Sequence, residues 1–508
     1  MHQHQCSTPD QHIRLASAMI ANQGIYGHVT QLSREHHLSR QWLYLLQAKG
    51  QEAMKREFVP KYQPTEQELQ RDRIVLTLLT ECHASREGMQ KTLEVILGEH
   101  VSTGTISAII HQAGQRAQDY LKRQMPKGKR AIAVDEQYSS QRGEAYLNIV
   151  DVWSSLVLAS IPPVGVDTES WILLLWQMQE QGLQWKLTVS DGGKAIQDAV
   201  HKVTPGQVHQ RDVWHVLHEC QKVQGRINRE GIKLQEQMPK VEQQAKRVAA
   251  GQKPRGRNPK TDVAAHAAEL QQMEYVASSL SYLTTNLQRL LGIVVLTQQG
   301  ILDSTTRQEE LDAFLCLLRE LCEVTPKSME KEIKGLYRHV QLALPGLLGF
   351  CFDLDEVQQS AIEQLGVAAV RLIGWAWQRR AILGPKREQL VADFAPTWQP
   401  VAACLLGAWD EAVRSSSAVE NWHSILRPHL AVHRHLSADM LAILAVWHNH
   451  RVAPRGLHQG QSPMMRSGLA SEPTDWLVAL GYPPASAPPV RTLYSLASVK
   501  PDTQSIAA

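Results

Sequence analysis

Apolar residues recur at helical spacing near the start of the chain, most clearly within residues 27–50. Residues 30–38 are predicted to form a short helix and a tight turn, after which Ser39 caps a second helix that stops at Gly50. The polar positions on the outer face of the second helix are Arg40, Gln41, Tyr44, Gln47 and Lys49. This layout predicts a helix-turn-helix whose second helix presents polar side chains to the major groove of DNA.

A second helix pair is predicted at residues 85–93 and 101–110, with Ser102 as the cap of its second helix. Thr103 and Thr105 lie in the first turn of that helix, where a recognition helix contacts DNA. Either pair could instead be a packed helical hairpin without any DNA contact. Two pairs in tandem, in a 1–130 region with 17 Lys and Arg against 12 Asp and Glu, favour DNA binding.

After a basic linker at residues 126–130, the pattern changes to short apolar runs typical of strands. The predicted strands are 131–135, 145–152, 156–161, 185–191 and 207–212, and the predicted helices between them are 167–181 and 193–203. This order predicts an α/β fold with a mixed five-stranded sheet, in which the first, fourth and fifth strands are parallel. In such sheets the functional site lies at the carboxyl ends of the parallel strands.

The remainder of the chain is predicted to be mainly helical. Residues 221–403 are rich in Gln, Glu, Lys, Leu and Ala and show almost no strand signal, which predicts a large all-α insertion. The five predicted regions are a tandem helix-turn-helix region (1–125), the first part of the α/β core (126–220), the insertion (221–403), the last core helices (404–465) and a loosely ordered tail (466–508).

The overall charge is nearly balanced, which makes local basic segments informative. The 508 residues hold 53 Lys and Arg against 50 Asp and Glu and are 43% hydrophobic, which excludes a disordered chain or a histone-like polycation. Residues 221–260 nevertheless carry eleven Lys and Arg against three Glu, so Arg255, Arg257 and Lys260 are candidate contacts to a phosphate backbone. A solvated helix face followed by a loop is the alternative interpretation.

Apolar runs and cysteines limit the other classes of protein. The apolar runs fall far short of the ~20 residues that span a bilayer, and the polar start does not resemble a signal peptide. We therefore expect a cytoplasmic protein with no membrane contact. The seven cysteines form no Cys-x-x-Cys pair, which argues against a zinc finger and against a disulfide framework.

Two acids stand at the ends of predicted neighbouring strands. Asp135 and Asp191 each end an apolar run, and adjacent parallel strands would bring their side chains together. Carboxylates held close together repel each other unless a cation lies between them. Because oxygen ligands without nearby cysteine suit hard cations, Mg²⁺ is the expected ion, with Mn²⁺ as an alternative and zinc disfavoured.

Glu420 is the best candidate for a third acid, because it lies on a polar helix face. The residues that share this face are Ser416, Ser417, Glu420, Ser424 and Arg427. Arg427 is in addition a candidate DNA contact. Taken singly, Asp191 could be a helix cap, Asp135 a strand end and Glu420 a surface residue. The hypothesis of a two-metal site therefore depends on the three acids together.

With these motifs, the chain resembles bacterial insertion-sequence transposases of the DDE class, which have an RNase H-like catalytic core. The motifs that carry the resemblance lie at residues 133–135, 188–192, 416–428, 449–451 and 460–463. Residues 211–216 are also similar to the family's C/D-x-x-H signature, which implies that Asp212 and His215 border the active site. Two departures are His423, where Asn is expected, and Gln461, where Lys is expected.

The resemblance implies a complete reaction. The helix-turn-helix pairs would bind double-stranded DNA at the terminal inverted repeats. Asp135, Asp191 and Glu420 would hold two Mg²⁺ ions for hydrolysis at the transposon end, and His215 would position the scissile phosphate or the nucleophile. The freed 3′-hydroxyl would attack target DNA without a covalent protein–DNA link. A homodimer or larger synaptic complex is expected, in a bacterial, nucleoid-associated protein.

Several alternatives remain open at this level. An RNase H-like nuclease or resolvase would cut DNA without joining it. A domesticated DNA-binding protein would keep the fold and lose the chemistry. Within the insertion, Trp375, Trp377 or Trp398 could stack on an unpaired base, although core packing also explains each of them.

Overall fold

The computed structural model describes residues 8–25, 27–58, 65–256, 260–383, 393, 396–456 and 458–484. The chain divides into two compact units, with the boundary between Leu69 and Gln70. Among the described helices, none combines the length and the apolar character that crossing a bilayer requires.

The first unit is built from three helices, α1 (Pro9–Ala21), α2 (His28–Glu35) and α3 (Arg40–Phe58). Their shared core consists of Leu15, Ala16, Met19, Leu32, Leu43 and Leu46. The prediction that the second helix stops at Gly50 is wrong, because α3 continues for two further turns. A Cβ on Gly50 would lie 3.0 Å from Cβ of Ala16, so the glycine allows α1 and α3 to approach each other closely here.

Three further helices precede the sheet: α4 (Glu66–Cys82), α5 (Arg86–Leu97) and α6 (Thr103–Arg123). Ser102 caps α6, as predicted, by accepting a hydrogen bond from the amide of Thr105 at 3.0 Å. The middle of α6 is tightly packed, because a Cβ on Gly114 would lie only 2.2 Å from Cβ of Asp439. The carboxylate of Asp439 also accepts hydrogen bonds from Gln115 and Gln118.

The predicted mixed α/β fold with a five-stranded mixed sheet is confirmed. The strands are β1 (Lys129–Tyr138), β2 (Glu144–Asp151), β3 (Val157–Gly165), β4 (Gln184–Ser190) and β5 (Val208–Arg211). They lie in the order β3-β2-β1-β4-β5, with β1 parallel to β4, β4 parallel to β5, and β2 antiparallel to both of its neighbours, β1 and β3. The helices α7 (Thr168–Glu180) and α8 (Lys194–Val203) contribute Trp171, Leu174 and Ile196 to the core formed with the strands.

Strand β1 extends beyond its predicted end, so Asp135 lies inside the strand. Its parallel pairing with β4 is recorded up to Ala133 opposite Val189, whereas its antiparallel pairing with β2 continues to Tyr138 opposite Ala145. Asp135 is therefore not the end of a strand. It lies where β1 leaves β4 and remains bonded only to β2.

Helix α9 (Val213–Ala249) starts soon after β5 and runs through residue 221, where the all-α insertion was predicted to begin. The insertion then continues through α10 (Val263–Leu290), the two-residue strands β6 (Leu296–Thr297) and β7 (Gly300–Ile301), α11 (Ser304–Val324), α12 (Glu330–Ala343), a 3₁₀ turn (Leu344–Gly346), α13 (Gly349–Leu365), α14 (Val367–Gln378), α15 (Arg380–Leu383) and α16 (Gln399–Glu411). Helices α10 to α14 and α16 share an apolar core with residues Val213 to Leu234 of α9. The same helix thus leads from the sheet into the insertion.

The last helices are α17 (Ser417–Val432), α18 (Ala438–His450), α19 (Pro463–Arg466) and α20 (Trp476–Ala479). Helix α17 packs on β1 and β2, and its buried residues include Val419, Trp422 and Leu426. Helix α18 is buried on all sides, and the amide of Asn449 bonds both N–H and C=O of Val157 in β3. Residues 485–508 lie outside the described residues.

We predict that Gly114→Ala lowers the free energy of unfolding by about 1–3 kcal/mol, the usual cost of overpacking a tight contact. The added methyl group would overlap Asp439 and force α6 away from α18. Urea unfolding of the full chain measures the change. The matched control is Gly225→Ala in α9, where a Cβ meets nothing within 4 Å and helix propensity should add up to about 1 kcal/mol. Equal stability of the two variants would contradict the predicted contact.

Candidate active site

The two aspartates lie together at the carboxyl edge of the parallel strands. Asp135 and Asp191 each stand two residues beyond the Ala133–Val189 pair of β1 and β4. Asp191 directly follows the last residue of β4, and its Oδ1 accepts a hydrogen bond from the amide of Gly193 at 2.9 Å. The sheet register therefore brings together two acids that are separated by 55 intervening residues in the chain.

The surroundings of Asp135 disfavour the charged form of its carboxylate. Its side chain is buried, and this burial, together with the negative charges of Asp191 and Glu420, raises the pKa of Asp135 well above its ordinary value. The amide of Glu136 donates to Oδ1 at 2.8 Å and acts in the opposite direction. A cation held among these carboxylates would relieve the repulsion.

Glu420 and His215 complete a cluster around Asp135. One side-chain ligand atom from each of Asp135, His215 and Glu420 lies within 4.8 Å of the other two, and within the described part of the chain this is the group suited to hold a metal ion. Asp191 is not a member of that group, although its charge acts on Asp135. Three of the four residues proposed from sequence therefore converge directly, and the fourth is coupled electrostatically.

Asp212 fixes the two helices that deliver His215 and Glu420. Its Oδ1 caps α9 by accepting from the amide of Trp214 at 2.7 Å. Its Oδ2 accepts from the amide of Ser416 at 2.8 Å and also from the hydroxyl of Ser416. Since His215 and Glu420 each lie within the first turn after these contacts, one buried carboxylate sets the positions of both.

A glycine and an arginine shape the loop after β4. Gly192 adopts a φ of +80°, and a Cβ there would lie 1.0 Å from Nη1 of Arg211. Only glycine fits this position, because both the backbone conformation and the close guanidinium exclude a side chain. Arg211 is itself buried, and this burial lowers the pKa of its guanidinium. The loop that carries Asp191 is thus packed directly against β5.

Glu420 has a cationic partner in this structure. Nη2 of Arg427 lies 3.1 Å from Oε2 of Glu420, and the Arg427 side chain is 58% exposed. The guanidinium therefore contacts one of the two carboxylate oxygens of Glu420 in this structure. Because Arg427 is largely exposed, it can leave this carboxylate at little cost.

His423 is a buried member of the site whose importance the sequence analysis missed. Its Nδ1 lies 3.8 Å from Oδ2 of Asp135 and 3.9 Å from Oε2 of Glu420. Burial lowers the pKa of His423 to about 4. Its spacing of three residues from Glu420 on α17 was visible as a signal, because residues three apart share a helix face.

Trp214 is a second residue near the site that the sequence analysis missed. It is 52% exposed, stacks on His218 at a ring-centroid distance of 4.7 Å and meets the ring of His215 edge-on at 5.0 Å. Of the insertion tryptophans proposed earlier, Trp377 is buried and donates to Asp410. Trp375 is 40% exposed and lies under the guanidinium of Arg379.

The proposed DNA contacts are distributed over several surfaces. Arg40, Gln41, Tyr44 and Lys49 are exposed along α3, Thr105 is exposed at the start of α6, and Thr103 beside it is half-buried. Arg255 and Lys260 are exposed, and Lys260 forms an ion pair with Glu269 at 3.3 Å. Arg257 lies outside the described residues.

We predict that Asp135→Asn stabilises the metal-free chain at pH 7. A carboxyl group whose pKa is raised on folding binds its proton more tightly in the folded state, so stability falls as pH rises from the ordinary value towards the raised one. The Asn variant lacks this loss, and its advantage should shrink as pH falls towards 4. Thermal unfolding in EDTA at several pH values measures the difference, and an advantage that grows on acidification would contradict it.

Mn²⁺ should reverse the ranking of these two proteins. At about 100 times its Kd, a ligand that binds only the folded state adds about 2.7 kcal/mol of stability. We expect this gain for the wild-type chain and its loss in Asp135→Asn. An equal response of the two proteins would show that Mn²⁺ binds elsewhere.

One segment of the chain, residues 51–238, is similar to known transposases. Residues 51–238 match a family model described as transposase, Mutator family, and a search of curated proteins found no match. The matched segment contains Asp135, Asp191 and His215 and ends before Glu420. The similarity supports a transposase, and hence an enzyme that cleaves or transfers DNA.

Proposed function

We propose that this protein is a DNA transposase of the DDE type with an RNase H-like core. The observation that carries the proposal is the convergence of Asp135, His215 and Glu420 within 4.8 Å, beside Asp191, at the carboxyl edge of a mixed sheet. Glu420 reaches this edge from beyond the helical insertion. The similarity of residues 51–238 to Mutator-family transposases supports the same class of reaction.

The donor set fits Mg²⁺ or Mn²⁺. Asp135 and Glu420 offer carboxylate oxygens, which hard divalent cations prefer, and no cysteine belongs to their cluster with His215. Asp191 adds a third carboxylate close enough to act on the charge of Asp135. Their mutual repulsion would be neutralised by bound ions. When bound, two such ions would activate the attacking oxygen and stabilise the leaving oxygen of a phosphodiester.

The surrounding residues would orient the DNA strand. His215 is held by the first turn of α9, so its imidazole is suited to contact the scissile phosphate or the attacking hydroxyl. Arg427, which is largely exposed, would turn from its ion pair with Glu420 to a phosphate of the DNA strand. This contact would help to place the strand beside the acids.

DNA recognition is assigned to the helical regions. Helices α2 and α3 would form one helix-turn-helix, and α5 and α6 the other, for the inverted repeats at the transposon ends. The basic segment 221–260 would clamp the phosphate backbone. Since both ends must be joined in step, the active form would be a dimer or a larger complex on two ends and target DNA.

The decisive experiment is a strand-transfer assay with Mg²⁺ and a pre-cut end that carries the inverted repeat flanking the gene. We expect joined products from the wild-type chain. Asp135→Asn, Asp191→Asn and Glu420→Gln should each reduce joining roughly a thousandfold, because bound metal supplies several kcal/mol of transition-state stabilisation. Asp198→Asn, at an exposed acid on α8, is the control and should keep wild-type activity.

Two other outcomes would replace the proposal. Cleavage of branched or hybrid substrates without any joined product would indicate a nuclease or resolvase. Undiminished function in cells after loss of all three acids would indicate a DNA-binding protein without catalysis.

We also predict distinct effects of the α3 residues on binding to the inverted repeat. Arg40→Ala and Lys49→Ala should weaken binding on all sequences and reduce its salt dependence, whereas Gln41→Ala should cost about 1–3 kcal/mol on the correct sequence alone. Fluorescence anisotropy at several salt concentrations measures both effects. Arg14→Ala, at an exposed position of α1, is the control. A uniform loss for all four variants would argue against α3 as the recognition helix.

A further inference from the structure

Asn148 is a buried residue of β2 that connects the sheet to the helix carrying Glu420. It stands opposite Asp135 in the antiparallel register of β1 and β2. Its Oδ1 accepts hydrogen bonds from Nε1 of Trp422 at 3.0 Å and from the hydroxyl of Ser160 at 2.7 Å. Its Nδ2 lies 3.2 Å from the carbonyl of Tyr146 and 3.1 Å from Nε2 of His423.

These contacts determine the orientation of the Asn148 amide. An indole N–H can only donate a hydrogen bond, so the atom facing Trp422 must be the amide oxygen. A backbone carbonyl can only accept, so the atom facing Tyr146 must be the amide nitrogen. Both constraints agree, and the nitrogen of Asn148 therefore donates to Nε2 of His423.

The orientation of Asn148 in turn fixes the tautomer of His423. Because Nε2 accepts a hydrogen bond, it carries no proton, and a neutral imidazole must then carry its proton on Nδ1. That nitrogen is the one facing Asp135 at 3.8 Å and Glu420 at 3.9 Å. A single N–H thus lies within 4 Å of two carboxylates that belong to different elements of the fold, at distances slightly longer than a hydrogen bond.

The neutral state of this imidazole suits a cation site. An imidazolium between two acids would neutralise them and compete with a divalent cation for their charge. A neutral N–H adds no positive charge there, and a shift of a few tenths of an ångström would let it donate to either carboxylate, as hydrogen bonds to metal-ligating groups orient those groups in other proteins. His423 is almost fully buried, so water cannot replace this donor easily.

We propose that His423 is a positioning residue for the divalent-cation site, and that Asn148 holds it as the Nδ1–H tautomer that orients the carboxylates of Asp135 and Glu420. The inference rests on the proposed function, because it assumes that these two acids bind metal. It adds His423 and Asn148 to the acids and His215 as residues that shape the proposed metal site.

The tautomer can be observed directly in the full-length chain. Selective ¹⁵N labelling of histidine, with long-range ¹⁵N–¹H spectra, distinguishes a protonated Nδ1 from a protonated Nε2. We expect the His423 signals, assigned by their absence from His423→Asn, to show the proton on Nδ1. A proton on Nε2 would overturn the inference.

Two substitutions separate the two ring nitrogens. His423→Asn keeps an amide N–H at the place of Nδ1, whereas His423→Gln places its amide near the position of Nε2. Binding of Mn²⁺, followed by the EPR signal of the free ion, should be close to wild type in the Asn variant and at least about 10-fold weaker in the Gln variant. Equal affinity of the two variants would overturn the inference.

Asn148→Asp replaces the donor that faces Nε2 of His423 with an acceptor. It therefore tests the role of Asn148. The carboxylate can still accept from Trp422, but it cannot donate to Nε2, so the proton of His423 is drawn away from Nδ1 or a second proton is added. We expect Mn²⁺ binding about 10-fold weaker or worse. His266→Gln, at a buried histidine of α10 that contacts the carbonyl of Leu234, is the control for loss of a buried imidazole.

Failure of this inference differs from failure of the proposed function. If Asp135→Asn binds Mn²⁺ as the wild type does, the metal site itself is wrong. If Asp135→Asn loses Mn²⁺ while His423→Gln and Asn148→Asp retain it, the acids bind metal and His423 has only a packing role.

Discussion

Mutual repulsion of carboxylates at one edge of the sheet is the constraint on which the site depends. Asp135 is buried beside the charges of Asp191 and Glu420, and its pKa rises accordingly. Such an arrangement costs stability when no cation is bound. The fold holds the acids together through contacts that take no part in the chemistry. Examples are the parallel pairing of β1 and β4 and the packing of α17 on the sheet.

A small number of buried polar contacts fix where the side chains of the site lie. Asp212 joins the starts of α9 and α17, so the helices that carry His215 and Glu420 share one anchor. Asn148 performs a similar role one strand away, where it joins β2 to α17 through Trp422 and His423. Both contacts bridge residues more than 200 positions apart, which explains how a large insertion can interrupt the core without separating its acids.

Much of the fold could be predicted from the sequence because its signals are local. Apolar runs separated by turn residues indicated all five strands, and Ser102 indicated the start of α6. The prediction failed where tertiary contacts prevail: Gly50 does not end α3 because it packs on Ala16, and Asp135 lies within β1 because pairing with β2 extends the strand. Likewise, the partnership of His423 with Asn148 depends on strand register, which no local pattern reveals.

The three acids could be proposed from the sequence because each lies either after an apolar run or on the polar face of a predicted helix. Their meeting point required the structure. Anomalous scattering from crystals grown with Mn²⁺ tests that meeting point most directly. We expect the ion among the carboxylates of Asp135, Asp191 and Glu420, with the ion pair between Arg427 and Glu420 broken. Mn²⁺ bound only at other positions, while Glu420 remains paired with Arg427, would contradict a shared metal site.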